Sequence, residues 1–259
     1  MNKRYSLAEI SSMTPFWIAL QFLTVLPIQL KNMPTAKQNA QAILIYPFIG
    51  LLIGLVLFAC SILLFKLPTL LLASIILVLW IWLTGGLHLD GLADTADAWV
   101  GGFGDPERTL KIMKDPACGP IGVLSLIMLC LLKFVAIYVL LEQQLSVFLI
   151  VVPAIGRSSA LFLFLTTSYV RKQGLGRSIA DLIPKVCSWT VFVITLSFLC
   201  VFEGAGIFCL AIFLMLLFYL RTKFIERIGG ITGDTIGASI ELSEVCVLMS
   251  FLIAFYYLP

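Results

Sequence analysis

The chain has 259 residues, of which 61% are hydrophobic and only 12% are charged, and its formal net charge is +3. A water-soluble domain of this length has too little interior to bury that much apolar surface, so the composition excludes an ordinary soluble enzyme. The basic residues are few and dispersed, which argues against a nucleic-acid-binding protein. The seven cysteines stand singly, without a Cys-x-x-Cys pair, so neither a disulfide framework nor a zinc site is indicated.

Long apolar runs follow one another along the chain. The first, residues 16–28, is shorter than the roughly 20 residues that a membrane span needs, and it predicts a re-entrant or interfacial helix. The longer runs predict spanning helices, because backbone polar groups in lipid must be satisfied within their own segment. The predicted fold is therefore an all-α, polytopic membrane helical bundle of about seven spans, forming a single domain over residues 1–259. The predicted spans are residues 43–65, 67–83, 121–141, 145–169, 186–202, 207–220 and 242–258.

The loops between these runs differ in charge. One alternate set carries nearly all of the lysines and arginines, whereas the opposite set contains Lys66 alone. By the positive-inside rule the basic set is cytoplasmic, and the C-terminus then faces outward. Every acidic cluster and glycine-rich loop falls on the basic side. We therefore expect a multi-pass protein of the cell inner membrane whose site faces the cytoplasm.

Three aspartates within eight residues follow the second predicted span. On a helix, Asp90, Asp94 and Asp97 share one face, and no lysine or arginine lies between residues 67 and 107 to neutralise them. Crowded carboxylates favour a hard divalent cation, and Mg²⁺ bridging to substrate phosphates is the first hypothesis. The alternative is a solvated helix face at the membrane edge.

A second acidic stripe precedes the last predicted span. If the helix begins near Thr232, then Asp234, Glu241 and Glu244 share a face with small residues. Two such stripes on one side of the membrane suggest one shared metal site. Asp115, beside a proline and before a glycine-rich helix start, is a further ligand candidate or a helix cap. The predicted metal ligands are Asp90, Asp94, Asp97, Asp115, Asp234, Glu241 and Glu244.

Basic residues and one histidine complete the set of candidates. Arg108 and Lys111 either hold substrate phosphates or anchor the chain at lipid headgroups. Arg157 lies inside a predicted span, so it is either a phosphate clamp or the structural partner of a buried carboxylate. His88, which the neighbouring aspartates should favour in its charged form, is either a general base or a structural residue.

Three motifs resemble cobalamin synthases, the adenosylcobinamide-GDP ribazoletransferases. They are Thr-Gly-Gly-Leu-His-Leu-Asp-Gly-Leu-Ala-Asp-Thr-Ala-Asp at 84–97, Ile-Met-Lys-Asp at 112–115, and Thr-Gly-Asp-Thr-Ile-Gly-Ala-Ser-Ile-Glu-Leu-Ser-Glu at 232–244. The resemblance implies an integral inner-membrane enzyme that requires Mg²⁺. It also implies that the 3′-hydroxyl of α-ribazole, or of α-ribazole 5′-phosphate, attacks the cobinamide-side phosphate of adenosylcobinamide-GDP and that GMP leaves. The candidate catalytic residues are His88, Asp94 and Asp97, and the candidate phosphate-binding residues are Arg108, Lys111 and Arg157.

Two other classes remain as alternatives. The aspartate pattern is also similar to the metal motif of CDP-alcohol phosphotransferases, but the Ala-Arg pair of that family is absent because Ala93 is followed by Asp94. A Mg²⁺ transporter is the non-enzyme alternative, although the short outer loops argue against it. The expected partners are the two small-molecule substrates and the lipid bilayer, with no nucleic acid, and homo-oligomerisation is left open.

Overall fold

A computed structural model describes residues 7–30, 32–172 and 174–258, with side chains from residue 13 onward, and this part of the chain is helical apart from its turns and loops. Among the described residues, a single parallel bridge pairs Tyr169 with Ile231. The α-helices are α1 Leu7–Leu23, α2 Ala36–Ala42, α3 Tyr46–Leu63, α4 Thr69–Thr84, α5 Leu87–Gly101, α6 Pro106–Ile112, α7 Pro120–Glu142, α8 Val152–Thr166, α9 Leu175–Leu182, α10 Lys185–Ser197, α11 Glu203–Ile228 and α12 Gly233–Tyr257. Short 3₁₀ turns cover Ile43–Ile45, Ser146–Ile150 and Phe198–Phe202.

Five stretches of the described residues are long and apolar enough to cross a membrane, or six if α4 and α5, which are bent by 87°, form one broken span. The longest stretch, Lys185–Ile228, contains two passes. The Phe162 ring lies 5.9 Å from Phe192 and 5.3 Å from Phe218, whereas a straight helix would separate the latter two by about 39 Å. The chain reverses at Glu203, where φ is 51°.

The described helices therefore run between the two ends of the bundle seven times. The passes are made by α3, α4, α7, α8, α10, α11 and α12. In this arrangement α4 makes the pass of the bent pair, and α5 turns away from it. The prediction of a polytopic helical membrane bundle is confirmed.

Several helix ends differ from the prediction. The N-terminal helix α1 ends at Leu23, because the chain then extends and the Val25 amide donates to the Leu83 carbonyl at 2.9 Å. The last helix begins at Gly233, well before residue 242, so the second acidic stripe belongs to the final span itself. The helices α2, α6 and α9 lie outside the predicted spans, because all three are too short and polar to appear as apolar runs.

Glycines allow the close approaches that shape the bundle. Gly85 and Gly86, with φ of 62° and 68°, make the bend between α4 and α5 in a conformation that other residues adopt at a cost. On α3, a Cβ added to Gly50 would lie 2.4 Å from the Pro153 carbonyl oxygen, so α3 packs directly against the backbone of α8. These contacts place α5 across one end of the bundle, where the candidate site lies.

Candidate active site

The site is built where α5 crosses the first turns of α12. A Cβ added to Gly91 would lie 2.8 Å from the carbonyl oxygen of Asp234, and one added to Gly237 would lie 3.3 Å from the Cα of His88. Two backbones can approach this closely only where side chains are absent. The two acidic motifs of the sequence are thereby brought together at Asp90 and Asp234.

A cavity of about 310 Å³ opens beside this crossing. Its polar lining includes His88, Asp90, Arg171 and Asp234, and aromatic side chains form part of its wall. Asp90 is exposed, and its carboxylate makes no hydrogen bond or ion pair with any described residue. The cavity therefore combines a free carboxylate with apolar surface at the end of the bundle. The aromatic lining residues are Phe22, Tyr46, Phe164 and Tyr169.

The carboxylates of α5 and α12 repel one another. Burial, followed by the negative charges of Asp90, Asp234 and Asp97, raises the pKa of Asp94 to about 6. Among the described residues, no three His, Cys, Asp or Glu side chains lie close enough together to hold a metal ion by themselves. Mg²⁺ is usually held by one or two carboxylates together with substrate phosphates. One or two of the carboxylates of Asp90, Asp94 and Asp234, together with substrate phosphates, therefore fit a cation that is shared with substrate.

Asp97 joins α5 to the start of α7. Its carboxylate accepts hydrogen bonds from the backbone amides of Gly119 at 2.6 Å and Gly122 at 2.8 Å. These are unpaired donors of a helix N-terminus, where a negative charge is favourable. Asp97 thus positions α5. Asp115 accepts from the Ala117 amide within its own loop, and the N-cap residue of α7 is Gly119, so Asp115 is not the predicted helix cap.

Asp234 forms an ion pair that the sequence did not indicate. The Arg171 guanidinium donates to its carboxylate at 2.5 Å, and both side chains are about three-quarters buried or more, with exposed fractions of 26% and 20%. Arg171 follows the bridge at Tyr169 and lies 63 residues before Asp234. Its only sequence signal was a position in a basic loop, which it shares with several other residues.

The rest of the second acidic stripe lies deeper in the bundle. Glu241 and Glu244 stand about 10 and 15 Å along the axis of α12 from Asp234. Lys133 donates to both glutamates, at 2.6 and 2.5 Å, and Arg157 donates to Glu244 at 2.6 Å. All four are nearly or fully buried. Because their charges are already paired inside the bundle, we remove Glu241 and Glu244 from the ligand set and Arg157 from the phosphate-binding set.

The remaining basic candidates lie on exposed α6. Arg108 stacks over the Phe103 ring, with 5.0 Å between the guanidinium carbon and the ring centroid, and Lys111 is exposed. Neither residue lines the cavity at the α5–α12 crossing. Both positions suit contacts with lipid headgroups.

His88 lies against α12 and is 4% exposed. Burial, and then the positive charges of Arg157 and Lys133, lower the pKa of His88 well below its ordinary value. The expectation that the aspartates favour the charged imidazolium is therefore wrong, because burial of the ring disfavours its charged form more strongly than the nearby aspartates favour it. Its Nδ1 is buried without a hydrogen-bond partner. A neutral imidazole lining the cavity is able to accept a proton.

Comparison with known proteins assigns the family. A family model described as cobalamin-5-phosphate synthase matches residues 15–252. The chain belongs to this family. A protein of Acinetobacter baumannii strain ATCC 17978, named adenosylcobinamide-GDP ribazoletransferase, is 61% identical over 246 residues, which are 95% of this chain and 100% of that protein. A protein of the same name from Pseudomonas fluorescens strain Pf0-1 is 51% identical over 92% of this chain and 98% of its own length. No solved structure matches the chain.

Proposed function

We propose that this membrane protein joins adenosylcobinamide-GDP to α-ribazole or α-ribazole 5′-phosphate, giving adenosylcobalamin or its 5′-phosphate and GMP. The observation that carries the proposal is the cavity beside the α5–α12 crossing, which both Asp90 and Asp234 line, in a chain of this family. The relatives' name, adenosylcobinamide-GDP ribazoletransferase, supports the substrates.

The reaction is a displacement at a phosphorus atom. The ribose 3′-hydroxyl oxygen forms a new bond to the cobinamide-side phosphorus, the bond from that phosphorus to the oxygen bridging it to GMP breaks, and GMP leaves. The hydroxyl proton must be accepted by a base. We assign this role to the neutral imidazole of His88, which lines the cavity beside Asp90.

One or two of the carboxylates of Asp90, Asp94 and Asp234 would hold Mg²⁺ in this proposal, with substrate phosphates supplying the other ligands. When bound, the ion supplies positive charge that offsets the charge developing on the leaving phosphate. Asp97 acts differently, because its carboxylate is used to fix α5 on the start of α7. The Arg171 side chain holds the Asp234 carboxylate in place through their ion pair.

We also place the protein in the cell inner membrane with the cavity facing the cytoplasm. The loops that surround the cavity contain most of the basic residues, and the turn containing Lys66 lies at the other end of α3 and α4. α12 runs from the cavity to the opposite end, so the C-terminus would face outward.

The test uses purified protein in lipid vesicles with adenosylcobinamide-GDP, α-ribazole 5′-phosphate and Mg²⁺. We expect release of GMP in equal amount to the joined corrinoid, detected by liquid chromatography with mass spectrometry, and loss of both products with EDTA. Release of CMP from a CDP-alcohol, without GMP release from the corrinoid, would replace the proposal with the phospholipid alternative. Mg²⁺ flux without either product would indicate a transporter.

A further inference from the structure

A second cavity adjoins the one at the α5–α12 crossing, and its charge is opposite. It has a volume of about 620 Å³, and its charged lining residues are Lys114, Arg171 and Lys172. No carboxylate belongs to its lining among the described residues. Arg171 and Gly174 line both cavities, so the acidic and basic spaces meet at these two residues.

The basic residues are held at the start of α12 by separate contacts. The Thr232 hydroxyl, which caps α12, also donates to the Met113 sulfur at 3.2 Å, and this contact holds the end of α6 with Lys114 there. On the other side, the Val170 amide donates to the Ile231 carbonyl at 2.9 Å, which fixes the segment carrying Arg171. Lys114 from one segment, and Arg171 and Lys172 from another, are thus gathered around the first turn of α12.

Arg171 has donors that its known partner does not use. Its Nη2 donates to Asp234, no described residue accepts a hydrogen bond from its Nη1, and the side chain keeps an exposed fraction of 26%. A guanidinium carries five N–H donors in a planar fork that matches a phosphate, whereas the two lysines act as point charges. The group that suits this lining is an anion with several acceptor oxygens, placed next to the reacting centre.

We propose that Lys114, Arg171 and Lys172 form a phosphate subsite for one of the two substrates. This inference rests on the proposed function, because it assigns the subsite to that reaction. The phosphate belongs either to the 5′ position of the acceptor or to the GDP part of the donor. The subsite replaces the predicted roles of Arg108, Lys111 and Arg157.

The test compares Lys114→Met and Lys172→Met with Lys223→Met. Lys223 is a matched control because it lies on the last part of α11 and pairs with Glu226 outside both cavities. KM and kcat are measured with adenosylcobinamide-GDP and with either α-ribazole or α-ribazole 5′-phosphate. We expect each subsite variant to raise one KM about 10- to 100-fold, with kcat changed far less.

The two acceptors identify the source of the phosphate. If the KM for α-ribazole 5′-phosphate rises and that for α-ribazole does not, the subsite binds the acceptor's phosphate. If the KM for adenosylcobinamide-GDP rises with both acceptors, it binds the donor. KM values within twofold of the control for all three substrates would overturn the proposal.

A binding measurement separates this proposal from the proposed function. Isothermal titration calorimetry of the same proteins with GDP and with α-ribazole 5′-phosphate requires no turnover. If the wild-type protein releases no GMP, the proposed function fails. The subsite proposal fails separately if Lys114→Met and Lys172→Met bind both phosphates as tightly as Lys223→Met does.

Discussion

The buried charge network predicts a specific pattern of stability losses. Lys133 Nζ donates to both Glu241 and Glu244, and it lies 4.5 Å from the centre of the Trp80 ring. Lys133→Met keeps most of the side-chain length but leaves Glu241 buried without its cation. Removing one partner of a buried pair typically costs about 3–5 kcal/mol, and we expect Lys133→Met to lower the free energy of unfolding by that amount.

The other variants follow from the same contacts. Glu241→Gln should cost less than Lys133→Met, because Lys133 keeps Glu244 as a partner. The double variant Lys133→Met/Glu241→Gln removes one charge of each sign and leaves the pair between Arg157 and Glu244 intact. It should be more stable than Lys133→Met alone, with a coupling free energy of about 1–3 kcal/mol.

The assay is SDS denaturation in mixed micelles, followed by tryptophan fluorescence, for the wild type and the three variants. Lys223→Met, which removes an exposed ion pair on α11, serves as the control and should change stability by at most about 1 kcal/mol. If Lys133→Met is as stable as this control, or if the double variant is no more stable than Lys133→Met, then Lys133 does not stabilise the bundle by neutralising Glu241.

Three further predictions concern residues of α5. His88→Gln should lower kcat about 10²–10⁴-fold with partial rescue by added imidazole, and a loss below tenfold would remove His88 as the base. Asp97→Ala should lower the free energy of unfolding by about 1–3 kcal/mol, because the Gly119 and Gly122 amides lose their hydrogen-bond acceptor. An SDS denaturation curve identical to that of the wild type would contradict this role of Asp97. The pKa of Asp94 is about 6, and a carboxylate must be ionised to bind a metal ion. The Mg²⁺ concentration that gives half-maximal activity should therefore rise as the pH falls below 6. A constant value of that concentration from pH 7.5 to 5.5 would exclude Asp94 from the ligands.

The helical bundle was predictable because its signal is local. Apolar runs of membrane length mark spans wherever they occur, and the chain reversal at Glu203 was visible as the short gap between the predicted spans 186–202 and 207–220. The acidic face of α5 was also visible, since Asp90, Asp94 and Asp97 have helical spacing. Helix boundaries were less predictable, because the first turns of α12 are polar while the helix itself is continuous.

Residue spacing could not predict that the second acidic stripe is split, with Asp234 at the cavity and Glu241 and Glu244 deeper in the bundle. Spacing indicates that Asp234, Glu241 and Glu244 share a face, but it does not give their depth. The decisive contacts join residues far apart in sequence, since Lys133 and Glu244 are separated by 111 positions and Arg171 and Asp234 by 63. Such pairs are fixed by how helices pack, and no local pattern shows which carboxylate a given cation reaches.

The most direct test of the account is the turnover of Asp90→Asn compared with that of Asp181→Asn. Both residues are exposed aspartates on short helices, but Asp90 lines the cavity and Asp181 pairs with Arg177 on α9. With saturating Mg²⁺ and both substrates, we predict that Asp90→Asn lowers GMP release about 10²-fold or more, whereas Asp181→Asn matches the wild type. Equal GMP release by the two variants would contradict the claim that the chemistry takes place where α5 crosses α12.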